Sequence, residues 1–205
     1  GYGDIGCFGG KRAATPHLDK MASEGMLMTD FYVHPVCGVT RASLLTGSYA
    51  MRVAEVGNRK NGHPILHPKE ITIAEVMRDA GYRTGMVGKW HLGMDFPGTK
   101  GKRDWTQPVR DMPLDKGFGY FWGIPASMNY GVLAWFEGRH AKVPPTQFTR
   151  KKPNAIALSD YRIKPPYALK PPEDRKPQDL EVAPDFVDIE CLDRFTTQAL
   201  KWLDS

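Results

Sequence analysis

Residues 71–93 read ITIAEVMRDAGYRTGMVGKWHLG, and this stretch decides the fold class. Thr72 and Glu75 have the spacing of a capping box, and Ile71 with Val76 has the spacing of a hydrophobic staple. A helix capped by Thr72 follows, ending at Gly81. Tyr82 to Val87 then reads as a strand, which delivers Lys89 and His91 to the loop just beyond its carboxyl end. In open α/β sheets ligands bind at that end of the strands.

Upstream, Thr15 reads as an N-cap, with Pro16 at the first helical position, Leu18, Met21 and Ala22 as an apolar stripe and Gly25 as the stop. Met26 to Val33 is rich in apolar and aromatic residues and ends before His34-Pro35, which predicts a strand. Alternating helices and strands across residues 1–130 imply a layered α/β core. Downstream the character changes. Proline doublets at 144–145, 165–166 and 171–172 exclude regular element interiors, so residues 131–184 are expected to be a long irregular excursion. Such an excursion either shapes a site or wraps the surface. From 185 to 205, Ile189, Leu192, Phe195, Ala199 and Trp202 recur at helical spacing, predicting an amphipathic core helix.

The chain has 205 residues, 41% hydrophobic and 25% charged, which is globular composition with room for one domain's core. It holds no apolar run of about 18 residues to span a membrane. The net charge of +5 suits an acidic partner such as a sulfated sugar. The basic residues are scattered, with short clusters such as Arg150-Lys151-Lys152, and no nucleic-acid module appears, so a solvated basic face is the reading and nucleic acid is not expected. The three cysteines are too few for a disulfide scaffold and lack metal spacing. Cys7 and Cys191 either pair in an oxidising compartment or are simply buried, leaving Cys37 as the odd thiol. The chain opens on Gly1-Tyr2-Gly3-Asp4 without an initiator Met, as if a preceding strand had been cut away.

Cys37 opens the most chemically suggestive run, Cys37-Gly38-Val39-Thr40-Arg41 through Thr46-Gly47. A thiol at the mouth of a short helix, four residues before an arginine, sits where backbone N–H groups and a fixed cation favour an anionic or electrophilic group. The competing reading is a cysteine serving as a small hydrophobe. Lys89 and His91 by themselves read as an exposed lysine and a loop histidine. His17, His34, His63, His67 and His140 show no ligand pairing and are assigned to no metal.

Taken in order, Gly1-Tyr2-Gly3-Asp4, Thr15-Pro16-His17-Leu18-Asp19, Phe31-Tyr32-Val33, Cys37-x-x-x-Arg41-x-x-x-x-Thr46-Gly47, Ala80-Gly81-Tyr82-Arg83-Thr84 and Gly88-Lys89-Trp90-His91-Leu92-Gly93 resemble the amino-terminal part of a type I, formylglycine-dependent sulfatase of the arylsulfatase A branch. The resemblance runs from residue 1 to about 130 and more loosely beyond, so that residues 1–205 would be part of a sulfatase catalytic domain. It implies an alkaline-phosphatase-like α/β fold and hydrolysis of aryl or carbohydrate sulfate monoesters. Cys37 would be oxidised by a formylglycine-generating enzyme to formylglycine, the nucleophile. Arg41 would hold its hydrate, Lys89 would bind the sulfate oxygens and His91 would act as the base. Ser127, in Gly123-Ile124-Pro125-Ala126-Ser127, matches a segment whose serine touches sulfate, or else it caps a turn. Family members are periplasmic, secreted or lysosomal, and the compartment here stays open.

Two departures accompany the resemblance. The family's calcium is held by carboxylates upstream of Gly-Tyr-Gly-Asp and by a later Asp-Asn pair, with a further His and Lys serving the leaving group. Of the calcium ligands only the modified Cys37 falls within this sequence, so the 205-residue chain is expected to bind calcium poorly and to be inactive alone. Within the signature, Val39 stands where a proline read by the oxidising enzyme is usual, while Thr40 keeps the hydroxyl of the next position. Two other readings stay open: a phosphoester or phosphonate hydrolase with an unmodified Cys37, and a catalytically dead protein that binds sulfated glycans.

Overall fold

The computed structural model describes residues 2–53, 65–128, 131–149, 169–177 and 179–205. They are mixed α/β and divide into two units, residues 1–34 and 35–205.

In the first unit, α1 (Pro16–Glu24) starts after Thr15 as the sequence predicts. The Thr15 hydroxyl does not cap the helix. It accepts the Gly6 N–H at 2.8 Å and donates to Asp19, whose carboxylate also accepts the Cys7 N–H at 2.7 Å. The threonine thus fastens the preceding 3-10 turn (Gly6–Phe8) to the helix. Met26 to Val33 is not a strand. β-propensity is realised only where a neighbouring strand takes up the backbone N–H and C=O groups, and no described residue pairs with this segment as a strand. Its tie is instead the Tyr2 hydroxyl, which accepts the Phe31 N–H at 2.9 Å, and Tyr32 and Met26 are largely exposed.

The second unit begins with α2 (Cys37–Thr46) and α3 (Ala50–Val53), followed by α4 (Ile73–Asp79). The capping box at α4 is present: Thr72 Oγ1 accepts the Glu75 N–H, and Glu75 accepts the Thr72 N–H at 2.8 Å. Thr72 is fully buried and its hydroxyl also donates to the Lys116 carbonyl at 2.6 Å, so one side chain joins the helix start to the 3-10 turn Pro113–Lys116. Ile71 and Val76, the staple pair, are both mostly exposed.

The strand after α4 is β1 (Gly85–Lys89), displaced toward the carboxyl end from the predicted Tyr82–Val87. The cause lies in Thr84. Its carbonyl accepts the Gly119 and Tyr120 N–H groups, and its hydroxyl donates to the Gly117 carbonyl, so Thr84 is tied to the segment that leads into the partner strand and regular pairing starts only at Gly85. Lys89 is consequently the last strand residue, not a loop residue.

The hairpin strands β2 (Gly98–Thr99) and β3 (Lys102–Arg103) come next, then β4 (Tyr120–Ile124), which pairs parallel with β1 from Gly85↔Tyr120 to Lys89↔Ile124. Strands β5 (Val132–Leu133), β6 (Phe136–Glu137), β7 (His140–Ala141), β8 (Gln147–Thr149), β9 (Leu169–Lys170) and β10 (Leu180–Val182) follow. One sheet has the order β1-β4-β6-β7 and a second the order β5-β10-β8-β9. In the described part of 131–184, short strands alternate with longer unpaired stretches, as in an irregular excursion with brief pairings. The strands are two or three residues long and the prolines fall between them: Pro144 and Pro145 separate β7 from β8, and Pro171 and Pro172 follow β9. The doublet at 165–166 lies outside the described residues.

The core is aromatic. Trp122 of β4 stacks on Trp135 at 5.4 Å, Phe186 lies 4.7 Å from Trp135, and Phe195 meets both tryptophans edge-on. Phe195 belongs to α5 (Cys191–Leu203), which closes the chain. Its packed seam runs through Cys191, Phe195, Ala199 and Trp202, whereas Leu192 and Ile189, counted in the predicted stripe, are 75% and 57% exposed. The seam follows the i, i+4 spacing of Cys191 and Phe195, and Leu192 is one position off it. Cys7, Cys37 and Cys191 are free thiols, and Cys191 is buried. Burial pushes the Cys191 thiol up to about 11. No helix among the described residues is long and apolar enough to cross a membrane.

Candidate active site

The carboxyl end of β1 meets the first turn of α2. Val36 is extended and Cys37 begins the helix, with no side chain capping the first turn. The thiol is exposed. Its Sγ lies 3.0 Å from Nδ1 of His91, a hydrogen-bond distance whose direction is set by the imidazole tautomer. Residues 54 apart in sequence are thereby brought into a nucleophile–base arrangement.

The flanking backbone fixes His91. Its φ of 63° is left-handed, a conformation that L-residues adopt at a cost. Its N–H donates to the Pro125 carbonyl at 2.8 Å and the Trp90 N–H donates to Ile124 at 3.0 Å, so β1–β4 pairing continues past the strand end. The buried Trp90 indole N–H donates to the Gly93 carbonyl at 2.8 Å, closing the turn around His91. Leu92 accepts the Ile65 N–H at 2.8 Å. The glycines that bracket Gly88-Lys89-Trp90-His91-Leu92-Gly93 have φ of 121° and 81°, which the turn requires.

Lys89 Nζ lies 3.4 Å from the Ser127 hydroxyl, so the two residues that were expected to meet sulfate meet each other. Arg41 reaches the end of the strand. Its Nη1 donates to the Lys89 backbone carbonyl at 2.7 Å, tying α2 to the end of β1, and its buried Nε has no hydrogen-bond partner among the described residues. Burial lowers the guanidinium below its ordinary value, and the charge of the Cys37 side chain acts in opposition. Arg41 is thus placed to set where Lys89 stands.

Cys37, Arg41, Lys89, His91 and Ser127 are all in this neighbourhood. What the motif reading did not anticipate is the backbone clamp formed by the Ile124 and Pro125 carbonyls and the Trp90 indole. The tight glycine bracketing was the sequence signal for it. The implied calcium does not fit these residues: a hard cation takes six to eight oxygen ligands, and no group of three His, Cys, Asp or Glu side chains suited to a metal occurs among the described residues.

The sulfatase family's sequence model matches residues 1–144. Human arylsulfatase A is 42% identical over 138 residues, covering 64% of this chain and 24% of that protein. An N-acetylgalactosamine-6-O-sulfatase of Bacteroides thetaiotaomicron is 34% identical over 142 residues, covering 68% and 27%. A solved structure from work on the metabolism of multiple glycosaminoglycans by Bacteroides thetaiotaomicron superposes with a TM-score of 0.61 at 29% identity, covering 76% of this chain and 33% of its own. The chain spans about a quarter of the length of these two curated relatives. With its signature residues gathered at one strand end and its sequence matched across more than half its length, the chain belongs to the sulfatase family.

Proposed function

We propose that this chain carries the nucleophile end of the active site of a sulfuric ester hydrolase acting on sulfate monoesters, with a sulfated saccharide as the substrate class. The observation that carries the reading is the 3.0 Å approach of Cys37 Sγ to His91 Nδ1, beside the Lys89 ammonium. The saccharide class is supported by the hexosamine sulfatase among its relatives and by the chain's net positive charge.

The reading takes residue 37 as formylglycine, made from Cys37 by a formylglycine-generating enzyme. As an aldehyde hydrate it would offer two hydroxyls on one carbon, one to attack sulfur and one to expel sulfate by breaking a C–O bond, so one hard step becomes two easier ones. His91 would hold or remove a proton at residue 37, and imidazole is suited to that near neutral pH. Lys89 would meet the charged sulfate oxygens, a placement for stabilising charge that builds during transfer. Ser127 steadies the ammonium from the side, and Arg41 fixes the backbone from which Lys89 extends. Calcium dependence, implied by the resemblance, would call on ligands in addition to the modified residue 37.

The test is peptide mass analysis of residue 37 from protein made in its native host, coupled to sulfate release from an aryl sulfate and from a 6-sulfated hexosamine. A mass loss matching thiol to aldehyde, with release that falls about 10²- to 10⁴-fold in His91→Ala, is expected. An unconverted thiol together with cleavage of phosphate esters instead of sulfate esters would overturn the proposal.

A further inference from the structure

Past the end of β4 the chain bends through Pro125 and Ala126 to Ser127 and Met128, and this short strap is fastened on both sides of Ser127. On the near side the Ile124 carbonyl accepts the Trp90 N–H at 3.0 Å and the Pro125 carbonyl accepts the His91 N–H at 2.8 Å. Ser127 then meets Lys89 Nζ at 3.4 Å. On the far side the Met128 sulfur accepts from the Cys191 thiol, with the two sulfurs 3.6 Å apart. Cys191 opens α5, 63 positions away in sequence, and is a buried cysteine for which the chemistry at residue 37 has no use.

Both sulfurs suit the contact. Burial pushes the Cys191 thiol up to about 11, so it keeps an S–H to donate, and a thioether accepts weakly while packing softly against an irregular surface. Cys191 is also a firm seat. It is part of the same buried core as Trp122 and Trp135, and Phe195, one turn further along α5, meets both tryptophans edge-on. Trp122 lies on β4 itself, two residues before Ile124. The strap is therefore held to one aromatic core at each end, through β4 on one side and through Met128 and α5 on the other. Cut loose at Met128, the Ser127 hydroxyl would have to be steadied by its contact with a lysine, whose long flexible stem fixes little. Held at Met128, the hydroxyl keeps its place and the ammonium is drawn to it.

We propose that Met128, seated on Cys191, is a positioning residue that holds the Ser127 hydroxyl beside the Lys89 ammonium. A group that meets substrate keeps its geometry only when the residues behind it are locked by packing, and this contact supplies the lock for Ser127. The consequence for turnover rests on the sulfatase reading; the seat on Cys191 does not.

The experiment uses the complete enzyme from its native host, with an aryl sulfate as substrate. Met128→Ala should lower kcat/KM roughly tenfold, as a small misplacement behind the reacting groups does. Met128→Leu, which keeps the volume resting on Cys191, should restore most of it. The decisive readout is the cycle with Ser127→Ala: once the hydroxyl is gone, Met128→Ala should cost less than about twofold more, whereas a merely structural role would multiply the two losses. Cys191→Ala trims the same contact from the α5 side and should behave in that cycle as Met128→Ala does. The seat is read without activity, from iodoacetamide labelling of Cys191 in the folded protein, which Met128→Ala should speed roughly tenfold and Met128→Leu should leave at the parent rate. Circular dichroism of each variant verifies folding. A tenfold loss that persists in the Ser127→Ala background, a parent-like kcat/KM in Met128→Ala, or parent-like labelling in Met128→Ala would each overturn the proposal. A parent enzyme that cleaves no sulfate ester would instead overturn the sulfatase reading, and the labelling would still decide the seat.

Discussion

Gly123→Ala should disrupt the site without touching a chemical group. Gly123 lies opposite Gly88 in the parallel β1–β4 register, one residue before the pair that includes Lys89. A Cβ at 123 would overlap the Gly88 carbonyl oxygen outright and sit 2.9 Å from its carbon and 3.1 Å from its nitrogen. Unstrained carbon contacts need about 3.5 Å or more, and the overlap with the oxygen is the limiting one, so β1 must retreat by roughly 1 Å or more. Every atom in the way is backbone, and no rotamer change can relieve it. Overpacking of this kind costs about 1–3 kcal/mol, offset in part by the ~0.4–1 kcal/mol that alanine gains through a less flexible unfolded chain.

Gly119→Ala provides the matched control. Its nearest atom would be the Thr84 carbonyl oxygen at 3.4 Å, an ordinary contact, so the variant should stay within about 0.5 kcal/mol of the parent protein. Urea unfolding followed by the fluorescence of the buried Trp90, Trp122 and Trp135 measures both. Gly123→Ala should lower the midpoint by an amount equivalent to about 1–2 kcal/mol. Under the proposed function it should also reduce the complete enzyme's sulfate ester turnover by up to about 10²-fold, because a displacement approaching 1 Å at Lys89 spoils orientation. Equal midpoints for the two variants would refute the claim that close β1–β4 approach positions Lys89.

Two further outcomes follow from titration and burial. Arg139, donating to Asp115 at 2.9 Å, holds that carboxyl below the usual carboxylate range, with the Met112 N–H adding to the effect. A depressed folded pKa contributes stability that is complete above the unfolded value of about 3.9 and disappears as pH falls through the folded value; Asp115→Asn should therefore flatten the acid limb of stability against pH, and an unchanged limb would contradict it. In unconverted protein, iodoacetamide at pH 8 should label the exposed Cys37 while Cys191, buried and with its thiol near 11, stays unlabelled until denaturant is added, as peptide mapping would show.

The sequence was most legible where a local rule and the tertiary environment agreed. Thr72 and Glu75 form their capping box because the bonds lie within one turn, and α1 starts where Thr15 and Pro16 place it. The signature residues were likewise legible, and the structure gathers Cys37, Lys89 and His91 at one strand end. What failed needed knowledge of partners. Met26–Val33 has strand composition without a partner strand among the described residues, and β1 begins three residues late because Thr84 is engaged by a loop 35 residues away. The short strands between Val132 and Thr149 carry too few alternations to show a period of two, and the proline doublets concealed them. Arg41 illustrates the same limit within the site: spacing placed it near Cys37, but only the folded chain shows its guanidinium bonded to the Lys89 backbone.

The left-handed backbone of His91 explains why Lys89 and His91 divide their tasks. Residues two apart in a regular strand project to the same face, which would send both side chains toward one neighbour. The chain departs from strand geometry at Gly88 and again at His91, and the two side chains part company, Lys89 toward Ser127 and His91 toward Cys37. Holding a non-glycine residue there costs about 1–2 kcal/mol. Four bonds surround it, from the Trp90, His91 and Ile65 amides and the Trp90 indole, each worth about 1 kcal/mol net. Together they exceed the cost of the conformation, so the backbone from which the imidazole reaches residue 37 is fixed by the β1–β4 pairing and the turn that follows it.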